Sequence, residues 1–195
     1  RQPPIRYQSN KNRITRPNKQ MIDVNKHQIT HYPNETLTRR SQPVEKVDDN
    51  IRHLVNKMTD IMLEHKGIGL AAPQVAVPLR LFIISLDGTR EAVKVYINPT
   101  ITPIGDLEPM DEGCLSVPGV YTKIRRFKKC KVTATDLDGK QFTEEAEGLY
   151  ARALQHEYDH IQGMTIINRM GQVAKITHRK QIKKLIKNHK KSAKA

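Results

Sequence analysis

The sequence predicts an α+β domain in which antiparallel strands pack around one central helix. Two features carry that expectation: two stretches with apolar residues at helical spacing, and four short strand-like runs punctuated by Asp-Gly pairs. At 195 residues the chain is long enough to bury a real core within one domain.

From Asp49 to His65, residues Ile51, Leu54, Val55, Met58, Ile61 and Met62 form an apolar stripe, which predicts a helix behind an Asp cap and before Gly67. Leu79 to Leu86 and Ala92 to Ile97 read as strands, with Asp87-Gly88 turning between them. Cys130 to Thr135 and Gln141 to Ala146 form a second pair around Asp138-Gly139. Gly148 to Ile161 predicts a second helix whose inward side holds Leu149, Ala153, Leu154 and Ile161. The chain has no internal repeat and no apolar run of transmembrane length.

The second helix holds the chemistry. In Gln155-His156-Glu157-Tyr158-Asp159-His160 the histidines are four residues apart. They therefore share a face and can grip one metal ion, with Glu157 beside the water such an ion activates. Two surface histidines and a solvated glutamate would give the same letters. The apolar residues interleaved with the pair argue instead for an inward face, where histidines need partners.

A catalytic site of this kind takes three protein ligands and leaves a position for water. No Asp or Glu follows Asp159, which removes the later carboxylate ligand of thermolysin-like peptidases, and Ile166 stands where the metzincin pattern needs its third histidine. The third ligand must lie upstream or be His178 or His189 in the Lys-rich tail. Cys114, in Glu112-Gly113-Cys114-Leu115-Ser116, is the best candidate. Gly113 and Pro118-Gly119 permit a close backbone approach and a turn, and thiolate is a strong ligand for borderline or soft metals. Cys130, in a strand-like run, reads as a small buried apolar residue, so the two cysteines give no disulfide framework. Gly67-Ile68-Gly69-Leu70-Ala71-Ala72-Pro73-Gln74 lacks the spacing of a phosphate loop and by itself reads as a helix stop and tight loop.

Taken together, GIGLAAPQ, EGCLS and QHEYDH, in this order and at these separations, resemble the three signature motifs of the peptide deformylase family. The resemblance runs from about His31 to about Met170. It implies hydrolysis of the formyl group from the N-terminal formylmethionine of new polypeptides, giving formate and a free amine. By the same resemblance Cys114, His156 and His160 are the metal ligands and Glu157 the general acid and base. The Gln74 amide and the Leu115 N–H form the oxyanion hole. Gly69, with Gly67 and Gly113, sets backbone beside an extended substrate chain, and Ile68, Leu149, Arg152 and Ala153 line a methionine pocket. Glu112 and Arg126 are expected to form a supporting ion pair, and Asp159 is either a group behind the ligands or a surface residue. The family's usual Leu after the second histidine is Ile161 here, a volume-conserving change. Two His and one Cys suit iron, zinc, cobalt or nickel. The resemblance implies one divalent ion, Fe(II) in the cell, with Zn(II), Ni(II) or Co(II) as other occupants, and hence a reducing compartment.

The net charge of +14 suggests a nucleic-acid partner until it is located. Six Lys/Arg and no acids precede Asp23, and ten Lys/Arg and no acids follow Asp159, leaving eighteen basic residues against twenty acids between them. The basicity belongs to two appendages, a flexible extension at 1–30 and a tail at 171–195, flanking a nearly neutral catalytic domain at 31–170. Lys175 to Lys194 spaces Ile176, Ile182, Leu185 and Ile186 among lysines, the pattern of a basic amphipathic helix. Such a helix is either a solvated end or a contact for ribosomal RNA or protein, and the second weakens steeply with salt. The N-terminal residues lack a signal-peptide core, so bacterial cytoplasm is expected, with an organelle matrix or stroma as the alternative. Expected partners are N-formylmethionyl nascent peptides and the ribosome, without DNA or membrane contact, for a protein acting as a monomer. The competing readings are a metallopeptidase and an RNA- or ribosome-binding module with a structural metal. Structural sites are closed by four protein ligands, and only three are found.

Overall fold

The structure, a computed structural model, describes residues 28–192. The Asp48 carboxylate accepts the Ile51 N–H at 3.1 Å and opens helix α1 (Asp49–Glu64), as an Asp ahead of an apolar stripe predicts. The helix closes with Lys66 in the left-handed region at φ 53°, and the Gly67 N–H donates back to Met62 O at 2.9 Å.

Five strands follow and form one antiparallel sheet in chain order: β1 (Gly69–Ala71), β2 (Leu81–Ile84), β3 (Lys94–Glu112), β4 (Thr122–Thr135) and β5 (Gln141–Glu147). Both faces of its first strands are covered, because alternate residues point to opposite sides. Leu70, Leu81 and Ile83 join the core beneath α1, whereas Ala71, Phe82 and Ile84 join the core beneath helix α2 (Gly148–Ile161). Every residue of β2 is therefore buried. The two Asp-Gly pairs form turns, with Gly88 at φ 72° and Gly139 at φ 78°.

Two expectations need correction. The strands expected to end at Ile97 and to begin at Cys130 are parts of much longer ones, since β3 and β4 stay paired out to Glu112↔Thr122. Pro99, Pro103 and Pro109 argue against such a strand in the sequence. They are tolerated because β2 pairs with β3 only as far as Ile97, so beyond it β3 is an edge strand with no ladder on that side. The single helix expected in the tail is broken at His178 into α4 (Gln172–Thr177) and α5 (Arg179–Ser192), after the short α3 (Ile166–Arg169). Its apolar residues also separate: Ile176 is 73% exposed, while Leu185 is buried against Val117, Val120, Ile124, Ile166 and Met170. Of the expected N-terminal extension, residues 1–27 lie outside the described residues. Among the described residues no helix is long and apolar enough to cross a membrane.

Candidate metal centre

Helix α2 packs its Ala151, Ala153, Leu154 and Ile161 onto the sheet, which buries the turn carrying the two histidines. The β3–β4 ribbon delivers the remaining donor. Its last register pair, Glu112↔Thr122, leaves residues 113–121 as the tip, tightened by Val117 N–H donating to Cys114 O at 2.9 Å. Cys114 Sγ then lies 3.3 Å from His160 Nε2, and one donor atom from each of Cys114, His156 and His160 falls within 4.8 Å of the others. His178 and His189, the tail alternatives, are not part of this group.

Behind the donors stands a buried ionic chain. His156 Nδ1 faces Glu112 Oε2 at 3.0 Å, which turns Nε2 toward Cys114. Glu112 in turn receives Arg126 through two bonds of 2.7 and 3.0 Å and Arg152 Nη1 at 2.6 Å. Arg126 Nη1 continues to Asp159 at 2.8 Å, and Arg169 Nε reaches the same carboxylate at 2.9 Å. The expected Glu112–Arg126 pair is thus present, and Asp159 is buried, not a surface residue.

The electrostatics favour the ligand form of the thiol. Burial alone would raise the Cys114 thiol, but the neighbouring His160 and His156 outweigh it and bring the pKa down to about 5, so the thiolate is available. Burial likewise opposes ionisation of Glu112, yet the bonds from His156 and Arg126 hold it down at about 2. Glu157 goes the other way, because burial raises it more than the histidine charges lower it. Its Oε2 has no hydrogen-bond partner among the described residues, although the side chain is buried.

Cys114, His156 and Glu157 open onto a cavity of about 520 Å³ that is also lined by Gly67, Ile68, Gly69, Gln74, Gly113, Leu115, Leu149, Arg152 and Ala153. His160 sits behind this wall, 1% exposed. The lining explains two glycines. A Cβ on Gly69 would lie 2.6 Å from Glu157 Oε1, and one on Gly113 would lie 2.5 Å from the Tyr121 ring. Leu149, expected to face the core, is half exposed and belongs to the cavity wall instead. Arg152 lines the cavity, but both its Nη atoms are taken, by Glu112, Ile124 O and Glu108 O.

Gln74 is oriented by its own carbonyl. Ala71 N–H donates to Gln74 Oε1 at 2.8 Å, so the amide NH₂ must face the opposite way, toward Ser116 Oγ at 3.3 Å and Cys114 Sγ at 3.8 Å.

The family model described as polypeptide deformylase matches residues 26–176. The chain belongs to the peptide deformylase family. Membership makes it a hydrolase, and the curated relatives agree over nearly their whole length. A peptide deformylase of Chromohalobacter salexigens is 40% identical over 83% of this chain and 94% of its own. One of Neisseria gonorrhoeae is 42% identical over 80% and 93%. A peptide deformylase structure from Plasmodium falciparum matches with a TM-score of 0.81 at 36% identity, covering 84% of this chain and 97% of the other.

For a peptide deformylase the donor set fits a divalent ion. One thiolate and two imidazole nitrogens converge, a carboxylate orients one imidazole, and a buried carboxylate oxygen without a partner stands alongside. Sequence reasoning missed Ser116, Arg169 and Tyr121. Ser116 lies within EGCLS, but nothing in that motif points to its contact with Gln74, and no spacing rule marks Arg169 or Tyr121.

Proposed function

We propose that this chain hydrolyses the formyl group from the N-terminal formylmethionine of new polypeptides, with one divalent metal ion held by Cys114, His156 and His160. The observation that carries the reading is the convergence of those three donors on a cavity wall that also contains Glu157 and the Gln74 amide. A cation bound there supplies Lewis acidity and brings the pKa of water to about 7.

The protein's own groups then divide the work. Glu157, raised by burial, takes the proton of the attacking water and passes it to the departing amine. Gln74, its carbonyl tied to Ala71, aims its NH₂ at the developing oxyanion with the Leu115 N–H as second donor. The substrate backbone lies along the free edge of β1. The Ser85 N–H bonds Ile68 O, so in the antiparallel alternation Gly69 turns its N–H and C=O away from β2, as Ala71 does toward Gln74. Gly69, beside Glu157, therefore offers an unpaired peptide group to an added strand. Ile68, Leu149, Ala153 and the stem of Arg152 line the methionine pocket, and Gly67 and Gly113 add backbone to the same cavity wall.

Fe(II) is the metal in the cell, in keeping with a thiolate ligand and a reducing compartment, for which bacterial cytoplasm is the first choice. The enzyme works as a monomer. The basic tail, residues 171–195, contacts the ribosome, and residues 31–170 make up the catalytic domain.

The test is anaerobic turnover of formyl-Met-Ala-Ser followed by formate, with metal content measured on the same sample and Cys114→Ala as control. Metal-dependent formate release that disappears in the variant supports the reaction and the third ligand together. A folded, iron-loaded protein that releases no formate overturns the reading, and cleavage of an internal bond would make it a peptidase.

A further inference from the structure

A peptide laid on the edge of β1 with its formyl end at Glu157 has two directions to leave. One passes Leu70 and Ala71, both fully buried, with the Ala71 N–H already capped by Gln74. The other passes Ile68, which is 36% exposed, then Gly67 and Lys66, all of which line the cavity. The nascent chain therefore runs out past Lys66. An extended chain advances about 3.3 Å per residue, so with methionine opposite Gly69 the third and fourth residues lie about 7 to 10 Å further out, on the side where the turn of Lys66 and Gly67 lines the cavity.

Lys66 is a charged residue where the backbone asks for glycine. It occupies the left-handed position that ends α1, at φ 53°, held by its own N–H on Leu63 O at 3.0 Å and the Gly67 N–H on Met62 O at 2.9 Å. Glycine takes this position without strain, and lysine does not. Two bonds thus fix the root of an exposed side chain at the rim of the active-site cavity. Among the described residues Lys66 makes no ion pair, and Glu64, the acid nearest in sequence, does not engage it. Apart from the buried Glu157, the acids of the cavity wall are answered elsewhere, Glu112 by Arg126 and Arg152, and Asp111 by Lys123 at 3.4 Å.

We infer that Lys66 is a specificity-determining residue: it favours nascent chains that carry Asp or Glu at the third and fourth positions and disfavours those with Lys or Arg there. The inference rests on the deformylase reading and on the strand-addition geometry at Gly69. An exposed charge pair contributes modestly, so the expected discrimination is about fivefold in kcat/KM at low salt, and it fades as salt is raised.

The experiment compares formyl-Met-Ala-Xaa-Xaa amides, with both Xaa as Glu, Gln or Lys, on the iron-loaded enzyme, each value taken relative to the Gln peptide. The expected order is Glu over Gln over Lys, compressed at about 0.5 M salt by the screening of exposed charges. Lys66→Gly relieves the backbone strain, folds at least as well and should erase the order, while Lys66→Glu should reverse it. Equal turnover of the three peptides by the parent enzyme, or an order unchanged in both variants, overturns the inference while leaving the deformylase reading intact. Failure to turn over even the Gln peptide overturns that reading instead.

Discussion

At the scale of single residues, Glu157 and Gly69 form a pair that can be separated by experiment. The glutamate is buried among the donors, and the glycine leaves room for its carboxylate on the β1 side, since a Cβ at residue 69 would meet Oε1 at 2.6 Å. Glu157→Gln keeps the shape and removes the proposed proton acceptor, so kcat should fall by roughly 10²- to 10⁴-fold with metal content and melting temperature preserved. Gly69→Ala keeps the acceptor but displaces it by about an ångström, a misplacement that costs on the order of 100-fold. A Gly69→Ala enzyme with near-normal kcat would show that the carboxylate has freedom the packing denies it. The same scale explains the different fates of the cysteines. Cys114 sits against two histidines and is pulled down to about 5, whereas Cys130 is enclosed by apolar strand and helix residues and is pushed up to about 11 by that burial. The sequence already distinguished them, one by its glycine-flanked setting and the other by its strand.

Among elements, α1 carries a test of its cap. The Ile51 N–H bond on Asp48, the largest influence on that carboxylate, holds it below its ordinary value of 3.8. A depressed folded value means that the cap's contribution is complete above the ordinary range and is lost as pH falls through the folded value. Asp48→Ala should therefore melt below the parent at about pH 7, with the gap closing in acid, whereas a gap constant down to about pH 2 would exclude the cap as its source. Legibility also differed by element, for physical reasons. The bounds of α2, Gly148 to Ile161, match the sequence reading because an apolar face at helical period is a local property. The long β3–β4 ribbon was not legible, because its prolines are permitted only by the missing neighbour on the far side of β3, which is a fact of topology. The site followed the same division. The motifs marked Cys114, His156, Glu157 and His160, while the pair of Arg126 with Asp159 and the contact of Gln74 with Ser116 arise only when distant segments meet.

For the whole molecule, the question is what the concentrated positive charge does once the tail is folded. Helix α5 is not a free end: Leu185 is buried in a cluster from the β3–β4 tip and α3, Ile182 packs beside it, and Gln181 Nε2 donates to Pro118 O at 2.8 Å. Its inner face is therefore occupied, and Arg179, Lys180, Lys183, Lys184, Lys187, Lys190 and Lys191 are presented outward from a fixed base, with no acid on the helix to offset them. A rigid stripe of this kind suits a phosphate backbone better than a disordered tail, because less ordering accompanies binding. If it meets ribosomal RNA, each phosphate left without its lysine should reduce the slope of log affinity against log salt by about 0.7 to 0.9. Replacing Lys183, Lys187 and Lys190 by Gln should weaken ribosome binding and lower the slope by roughly two, while formate release from a free formyl peptide stays unchanged, since none of the three touches the cavity. Ribosome affinity and salt slope equal to those of the parent would mean that the stripe only keeps the protein dissolved. Loss of peptide turnover together with affinity would mean instead that the lysines act by holding α5 on the tip loop that carries Cys114.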